Sequence, residues 1–347
     1  MQEKLSDCPD ILTRLSEKRI GAEISAVAPK VSVIIPAYNL AAYAAETLDS
    51  VFAQTFQDYE VIVVNDGSKD TAELKAALAP YLEKIVYGEQ ANLGASRARN
   101  AAICLSRGEL LAFLDGDDVW LPEFLASQIA FLEEKNLEMA YCDALLFGEK
   151  FFAGRTFMQD APSNGAVTSV SLINTECNVI TSGTIIKRDL IKRFDMFDTD
   201  LPRTQDFELW FRFAKGGARI GYQRDVLSKY RVRPHSLSGT NVERAERTVW
   251  SMEAIRKKYH LDENELDAWK SQMALSRAEL ELERGKLCLA QGDFFGAKTH
   301  LAEANRFYRK PKLFLVNFLM RFSPRLTLQL FKAIRPSEFS FISPDNS

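Results

Sequence analysis

The sequence predicts an α/β fold: a doubly wound, mostly parallel sheet flanked by helices, followed by a helical C-terminal extension. Three observations carry that expectation. The runs Val31-Ser-Val-Ile-Ile and Glu60-Val-Ile-Val-Val are nearly continuous and β-branched, as strands covered by helices on both faces usually are. Strand-like and helix-like patterns alternate from residue 31 to residue 142, the rhythm of parallel strands joined by crossover helices. The apolar run 110–114 stops abruptly at Asp115, Asp117 and Asp118, where a buried strand opens at the sheet edge that binds ligands in such folds.

Residues 1–29 are mixed and polar and read as a helix or tail. Strand 31–35 leads to a helix over 41–53, strand 59–64 to a helix over 70–81, and a short strand at 85–87 to a helix starting near Gly94. Strand 110–114, a helix over 122–135 and a strand at 138–142 follow. Residues 143–182 are rich in Gly, Ser, Thr and Asn with weak periodicity; they read as loops or short strands, and so long an irregular stretch is usually functional or mobile. A strand at 183–186, a helix at 188–194 and a helix from near Gln205 complete this region. Beyond Asn241 the pattern is helical, and 285–305 reads as one helical hairpin. The expected organisation is thus an N-terminal tail or helix (1–30), a catalytic-type α/β domain (31–240) and a helical region with a basic amphipathic end (241–347).

With 347 residues, 46% of them apolar and 26% charged, the chain has an ordinary globular composition. A net charge of −3 gives no electrostatic footprint for nucleic acid. From Arg306 to Arg335 there are eight basic residues and no acidic one, so this segment has a separate electrostatic task. The five cysteines are scattered, odd in number and form no C-x-x-C, which predicts reduced thiols and no zinc site. The N-terminus lacks a secretory pattern, and the apolar stretch 313–320 is far shorter than the ~20 residues a membrane span needs. A cytoplasmic setting is expected, with the inner membrane face as one location.

Three anions within four residues repel one another unless a cation sits between them. Oxygen-only ligands on a loop suit Mg²⁺ or Mn²⁺, which leave their remaining positions to water and substrate phosphates. Asp-Gly-Asp-Asp standing alone could equally be a polar turn. Two further strand-to-helix turns, Pro36-Ala37-Tyr38-Asn39 and Asn65-Asp66-Gly67-Ser68, occupy the same edge. Asp66 could accept from a nucleobase or ribose, or simply cap a turn. Arg97 and Arg99 lie in the first turns of a helix, where the dipole disfavours cations unless an anion or carbonyl meets them.

Taken together and in this order, Val31-Ser-Val-Ile-Ile-Pro-Ala-Tyr-Asn, Val63-Val-Asn-Asp-Gly-Ser, Asn92-Leu-Gly-Ala-Ser-Arg-Ala-Arg-Asn and Phe113-Leu-Asp-Gly-Asp-Asp resemble the inverting family 2 glycosyltransferases of the Rossmann-like GT-A fold. The match is tight over about 31–125 and looser over 180–238. The resemblance implies that Pro36, Ala37, Tyr38, Asn39, Asp66, Asn92, Gly94, Arg97 and Gly116 bind the nucleoside diphosphate-sugar donor, a UDP-sugar first. It implies that Asp115 and Asp117 hold Mn²⁺ or Mg²⁺ on the diphosphate; Asp118 stays ambiguous. Thr204-Gln-Asp-Phe-Glu-Leu-Trp resembles the family's acidic-pair segment, making Asp206 the catalytic base, with Glu208 the competitor and Trp210 a donor contact. Gln205 stands where an acid is commoner. Arg231-Val-Arg-Pro-His-Ser-Leu-Ser resembles the segment that closes over the diphosphate, so Arg233 and His235 are expected to neutralise it as the bond breaks.

The acceptor implied by the resemblance is a saccharide or lipid-linked hydroxyl, in cell-surface polysaccharide or lipopolysaccharide assembly. A rival of another class is a catalytically lapsed nucleotide-sugar-binding or scaffolding protein. The C-terminal stripe of Phe, Leu and basic residues either packs on the protein or makes peripheral contact with an anionic membrane. The sequence fixes neither the sugar, the acceptor nor the oligomeric state.

Overall fold

A computed structural model describes residues 3–21, 23, 25–148, 154–201, 203–233 and 241–334. The chain divides into two compact units, Met1–Pro234 and His235–Ser347.

The first unit is built on a nine-stranded sheet of order β1-β4-β3-β2-β5-β8-β7-β9-β6. Its strands are β1 (Leu15–Ile20), β2 (Val31–Ala37), β3 (Tyr59–Asp66), β4 (Ile85–Gln90), β5 (Leu110–Phe113), β6 (Val119–Trp120), β7 (Met139–Gly148), β8 (Thr184–Lys187) and β9 (Ile220–Val232). The helices are α1 (Cys8–Leu12), α2 (Ala41–Phe52), α3 (Thr71–Leu78), α4 (Ala95–Leu105), α5 (Phe124–Glu134), α6 (Phe157–Asp160), α7 (Ser169–Ile173), α8 (Arg188–Phe194) and α9 (Gln205–Lys215). Strands β4, β3, β2 and β5 run parallel, which is the doubly wound half. Strand β8 enters antiparallel between β5 and β7. Val31, Val33, Ile34, Val61, Ile62 and Val64 are at most 1% exposed, so the continuous apolar runs do reflect burial on both faces. Because β2, β3 and β5 are parallel, their carboxyl ends open along one edge and deliver the turns after Ala37, Asp66 and Phe113 to one crevice.

Two expectations are corrected, and one strand lies where the sequence shows no element. Residues 15–20 form an edge strand antiparallel to β4 rather than a helix or tail, and Lys4 to Leu12 form short helical turns. Glu3 accepts from Asn100 Nδ2 at 2.8 Å, which ties this segment to α4. Strand β9 had no clear signal: its ladder with β7 slips at Cys142, Asp143 and Ala144, and such bulges scramble the alternation that marks a strand. Cys8 and Cys104 are bonded across 96 residues, with Cα atoms 5.2 Å apart, whereas Cys142, Cys177 and Cys288 are free. Sequence spacing cannot reveal that pairing, because α1 and α4 meet only in the fold. Disulfides persist in oxidising surroundings; a cytoplasmic chain would hold this pair as adjacent thiols.

The second unit is helical: α10 (Asn241–Lys258), α11 (Glu263–Gln291), α12 (Phe294–Tyr308), α13 (Pro311–Phe322) and α14 (Pro324–Ile334). Asp262 caps α11, accepting from Glu265 N–H at 2.9 Å while Glu265 returns the bond. Gly292, at φ 80°, ends α11 in the left-handed conformation that glycine adopts without strain. Asp293 then caps α12 through Gly296 N–H, so the expected hairpin is present. Among the described residues no helix is long and apolar enough to cross a membrane.

Candidate active site

The turns after β2 and β3 are stitched together. Asn39, at φ 54°, donates its N–H to Ser68 Oγ at 3.0 Å and accepts from Lys69 N–H at 2.8 Å. Asp66 ends β3 and is 3% exposed. Its carboxylate accepts from Gln90 Nε2 (2.7 Å), Leu93 N–H (2.9 Å) and Gly94 N–H (2.8 Å), which fastens the loop 91–94 over the edge. A carboxylate has about four acceptor positions, so Asp66 has one left for a ligand. A Cβ on Gly67 would meet Asn92 N at 2.5 Å, so the two loops touch there. Tyr38, Asn39, Asn92 and Gly94 are exposed and Arg97 half-buried, while Pro36 and Ala37 form the strand end beneath.

The acid loop is held from several sides. Gly116 is buried, and a Cβ there would lie 3.0 Å from Leu40 and 3.2 Å from the Pro36 carbonyl, so a side chain would crowd the end of β2. Asp115 forms an ion pair with Arg99, and Asp117 pairs with Arg233 at 2.7 Å. Arg231 donates from Nε to the Asp117 carbonyl at 2.7 Å. Asp118 is 1% exposed and accepts from Arg231 N–H at 2.8 Å and from Ser182 Oγ. The ambiguous third acid is therefore a brace between the loop, β9 and the turn at Thr181–Gly183. Substituting Asp118→Ala strands two donors, the part-buried Arg231 N–H and the buried Ser182 Oγ. The variant is expected to lose about 2–4 kcal/mol of stability, read as a lower urea midpoint with unchanged slope.

Burial pushes the Asp118 carboxyl well above the usual carboxylate range, with Asp117 and Asp115 adding to the push. Burial also raises Asp117, reinforced by Asp115 and opposed by Arg233 and Arg231. Arg99, Arg233 and Arg231 meet the three acids of this loop from one side each. Among the described residues no three His, Cys, Asp or Glu side chains converge as a ready cation cage. Mg²⁺ and Mn²⁺ do not need one, since one or two carboxylates plus phosphates and water suffice. The oxygen donor set of Asp115 and Asp117 fits such an ion.

Asp206 lies in the first turn of α9, where the helix dipole favours an anion. Its Oδ2 accepts from Thr181 Oγ1 at 3.1 Å. The next residue, Ser182, donates to Asp118 and accepts from Asp115 N–H at 3.1 Å. One short turn therefore grips both Asp206 and the acid loop. Glu208 is 2% exposed and ion-paired with Arg212 at 3.0 Å, which removes it as the competing base. Trp210 is corrected from a donor contact to a core residue: it is 1% exposed and packs against Phe113, Phe197 and Phe213. His235 lies outside the described residues.

The residues that sequence reasoning missed are Thr181 and Ser182. The hydroxyls sit inside the stretch marked only as irregular. Arg99 is buried on Asp115, over the Phe197 ring at 5.5 Å, so the acid loop supplies the anion expected beside the arginines of α4.

The solved mannosyltransferase PcManGT from Pyrobaculum calidifontis, in complex with GDP-Man and Mn²⁺, is similar with TM-score 0.58 at 18% identity, covering 95% of this chain and 93% of that one. The fold is that of the GT-A glycosyltransferases. Residues 32–194 match the Glycosyl transferase family 2 profile. An uncharacterised glycosyltransferase of Rickettsia typhi is 33% identical over 228 residues, 64% of this chain and 71% of its own length. The chain belongs to glycosyltransferase family 2. It is also 27% identical over 222 residues, 62% of the chain and 83% of the relative, to the Escherichia coli UDP-Glc:α-D-GlcNAc-diphosphoundecaprenol β-1,3-glucosyltransferase WfgD.

Proposed function

We propose that this chain transfers a sugar from a nucleoside diphosphate donor, UDP-linked first, to a hydroxyl of a saccharide or lipid-linked acceptor with inversion, in cell-surface polysaccharide synthesis. The observation that carries the reading is the Thr181-Ser182 turn, which holds Asp206 to the same loop as Asp115 and Asp117. Inverting transfer needs a base on the acceptor side and charge compensation on the leaving side. Asp206 accepts the proton of the acceptor hydroxyl as its oxygen attacks the anomeric carbon. Arg233, paired with Asp117, lies where it can also meet the departing diphosphate. Asp115 and Asp117 would hold Mn²⁺ or Mg²⁺, which supplies Lewis acidity to the leaving phosphate. Tyr38, Asn39, Asn92, Gly94 and Arg97 present the donor surface, and Asp66 sets the loop that carries Asn92 and Gly94. The UDP preference follows WfgD, whose name specifies UDP-Glc and a β product on a diphosphoundecaprenol acceptor.

The test is a panel of UDP- and GDP-sugars, with Mn²⁺ and a short saccharide diphospholipid acceptor, followed by proton NMR. Consumption of an α-linked UDP-sugar with a β-anomeric product signal supports the proposal. A retained α configuration, or consumption of no donor in the panel, overturns it.

A further inference from the structure

The end of the second unit carries an apolar face that nothing among the described residues covers. Helices α13 and α14 have two sides. On the inner one, Met320 is buried with Leu289 and Ala297, and Val316, Leu328 and Phe331 pack against that cluster. Asn317 Nδ2 also reaches the Leu301 carbonyl at 3.1 Å. Part of the C-terminal apolar segment thus packs on the protein, and exposed apolar side chains remain. Phe314, Phe318 and Phe322 on α13, and Leu326 and Leu330 on α14, stand four residues apart within each helix and are 43–68% exposed. Phe314 and Phe318 also line an open groove of about 670 Å³ with Arg309 at its wall.

We infer that this face docks α13 and α14 in the plane of an anionic bilayer, with the rings sunk at the headgroup boundary and the basic residues on phosphates. Length rules out spanning, since the helices have 12 and 11 residues. Charge selects the occupant. Arg309, Lys310, Lys312, Arg321, Arg325 and Lys332 flank the stripe, and no acid occurs from 306 to 335. Two copies meeting through this face would bring like charges together without any carboxylate to answer them. An anionic lipid surface supplies the opposite sign and takes up the apolar rings together. The inference is independent of the transferase chemistry.

The experiment is co-sedimentation of the full chain with vesicles of equal parts phosphatidylglycerol and phosphatidylcholine, against phosphatidylcholine alone. The wild type should pellet with the anionic vesicles and remain in solution with neutral ones. Phe318→Ser with Phe322→Ser should weaken pelleting by about ten-fold or more. Arg321→Glu with Arg325→Glu should weaken it by at least about five-fold per charge removed. All four side chains are exposed, so thermal unfolding should be unchanged in both variants. Equal pelleting of variants and wild type overturns the inference, as does wild type that stays in solution. So does a vesicle-free dimer, seen by sedimentation velocity, that the phenylalanine variant abolishes.

Discussion

Asp206→Asn is expected to lower kcat by about 10²–10⁴-fold while leaving the fold and donor binding intact. The amide keeps an oxygen for Thr181 Oγ1, which donates to the carboxylate at 3.1 Å in the native protein, so the turn that couples α9 to the acid loop should hold. What is lost is basicity alone. Asparagine cannot take the acceptor proton, and an un-ionised hydroxyl is a poor nucleophile toward an anomeric carbon. Glu208→Gln supplies the contrast. Glu208 is buried and ion-paired with Arg212, and neutralising it weakens a buried pair, so that variant should lose stability first. Steady-state kinetics at saturating donor, with urea unfolding of each variant, separates the two outcomes. Near-normal kcat in Asp206→Asn would remove the base from the proposed mechanism.

The second large effect is expected from Asp117→Ala, at about a thousand-fold in kcat/KM, equivalent to about 4 kcal/mol of transition-state stabilisation. The substitution deletes one of the two carboxylates assigned to the cation and frees Arg233 from its pair. Added Mn²⁺ should recover little of the loss, because Asp115 alone remains and is itself engaged by Arg99. Asp118 cannot take over: its oxygens are turned to Arg231 N–H and Ser182 Oγ and are buried. Titrating activity with Mn²⁺ in wild type and variant checks this.

The parallel half of the sheet was legible because burial on both faces writes a continuous signal: strands expected at 31–35, 59–64 and 110–114 lie within or beside Val31–Ala37, Tyr59–Asp66 and Leu110–Phe113. The abrupt change from apolar to acidic at Asp115 likewise marked where a strand leaves the core. Other features arise only when distant segments meet. A bulged strand such as β9 has no steady period. Thr181 and Ser182 look like any loop hydroxyls until α9 and the acid loop are brought to either side of them. Trp210 shows the converse limit. A motif places a residue near a site, but burial decides whether it touches the ligand or supports what does. Arg97 and Arg99 differ in this way by two positions on one helix: Arg99 turns inward to Asp115, and Arg97 stays half-exposed.

The central claim is that Asp115 and Asp117 serve a divalent cation on the donor diphosphate. Calorimetric titration of the full chain with UDP tests it most directly, in Mn²⁺, in chelator, and in Asp117→Ala with Mn²⁺. Binding that is strong in Mn²⁺ and falls by about a hundred-fold or more in the other two arms is the predicted result. Equal affinity in all three arms would contradict the account.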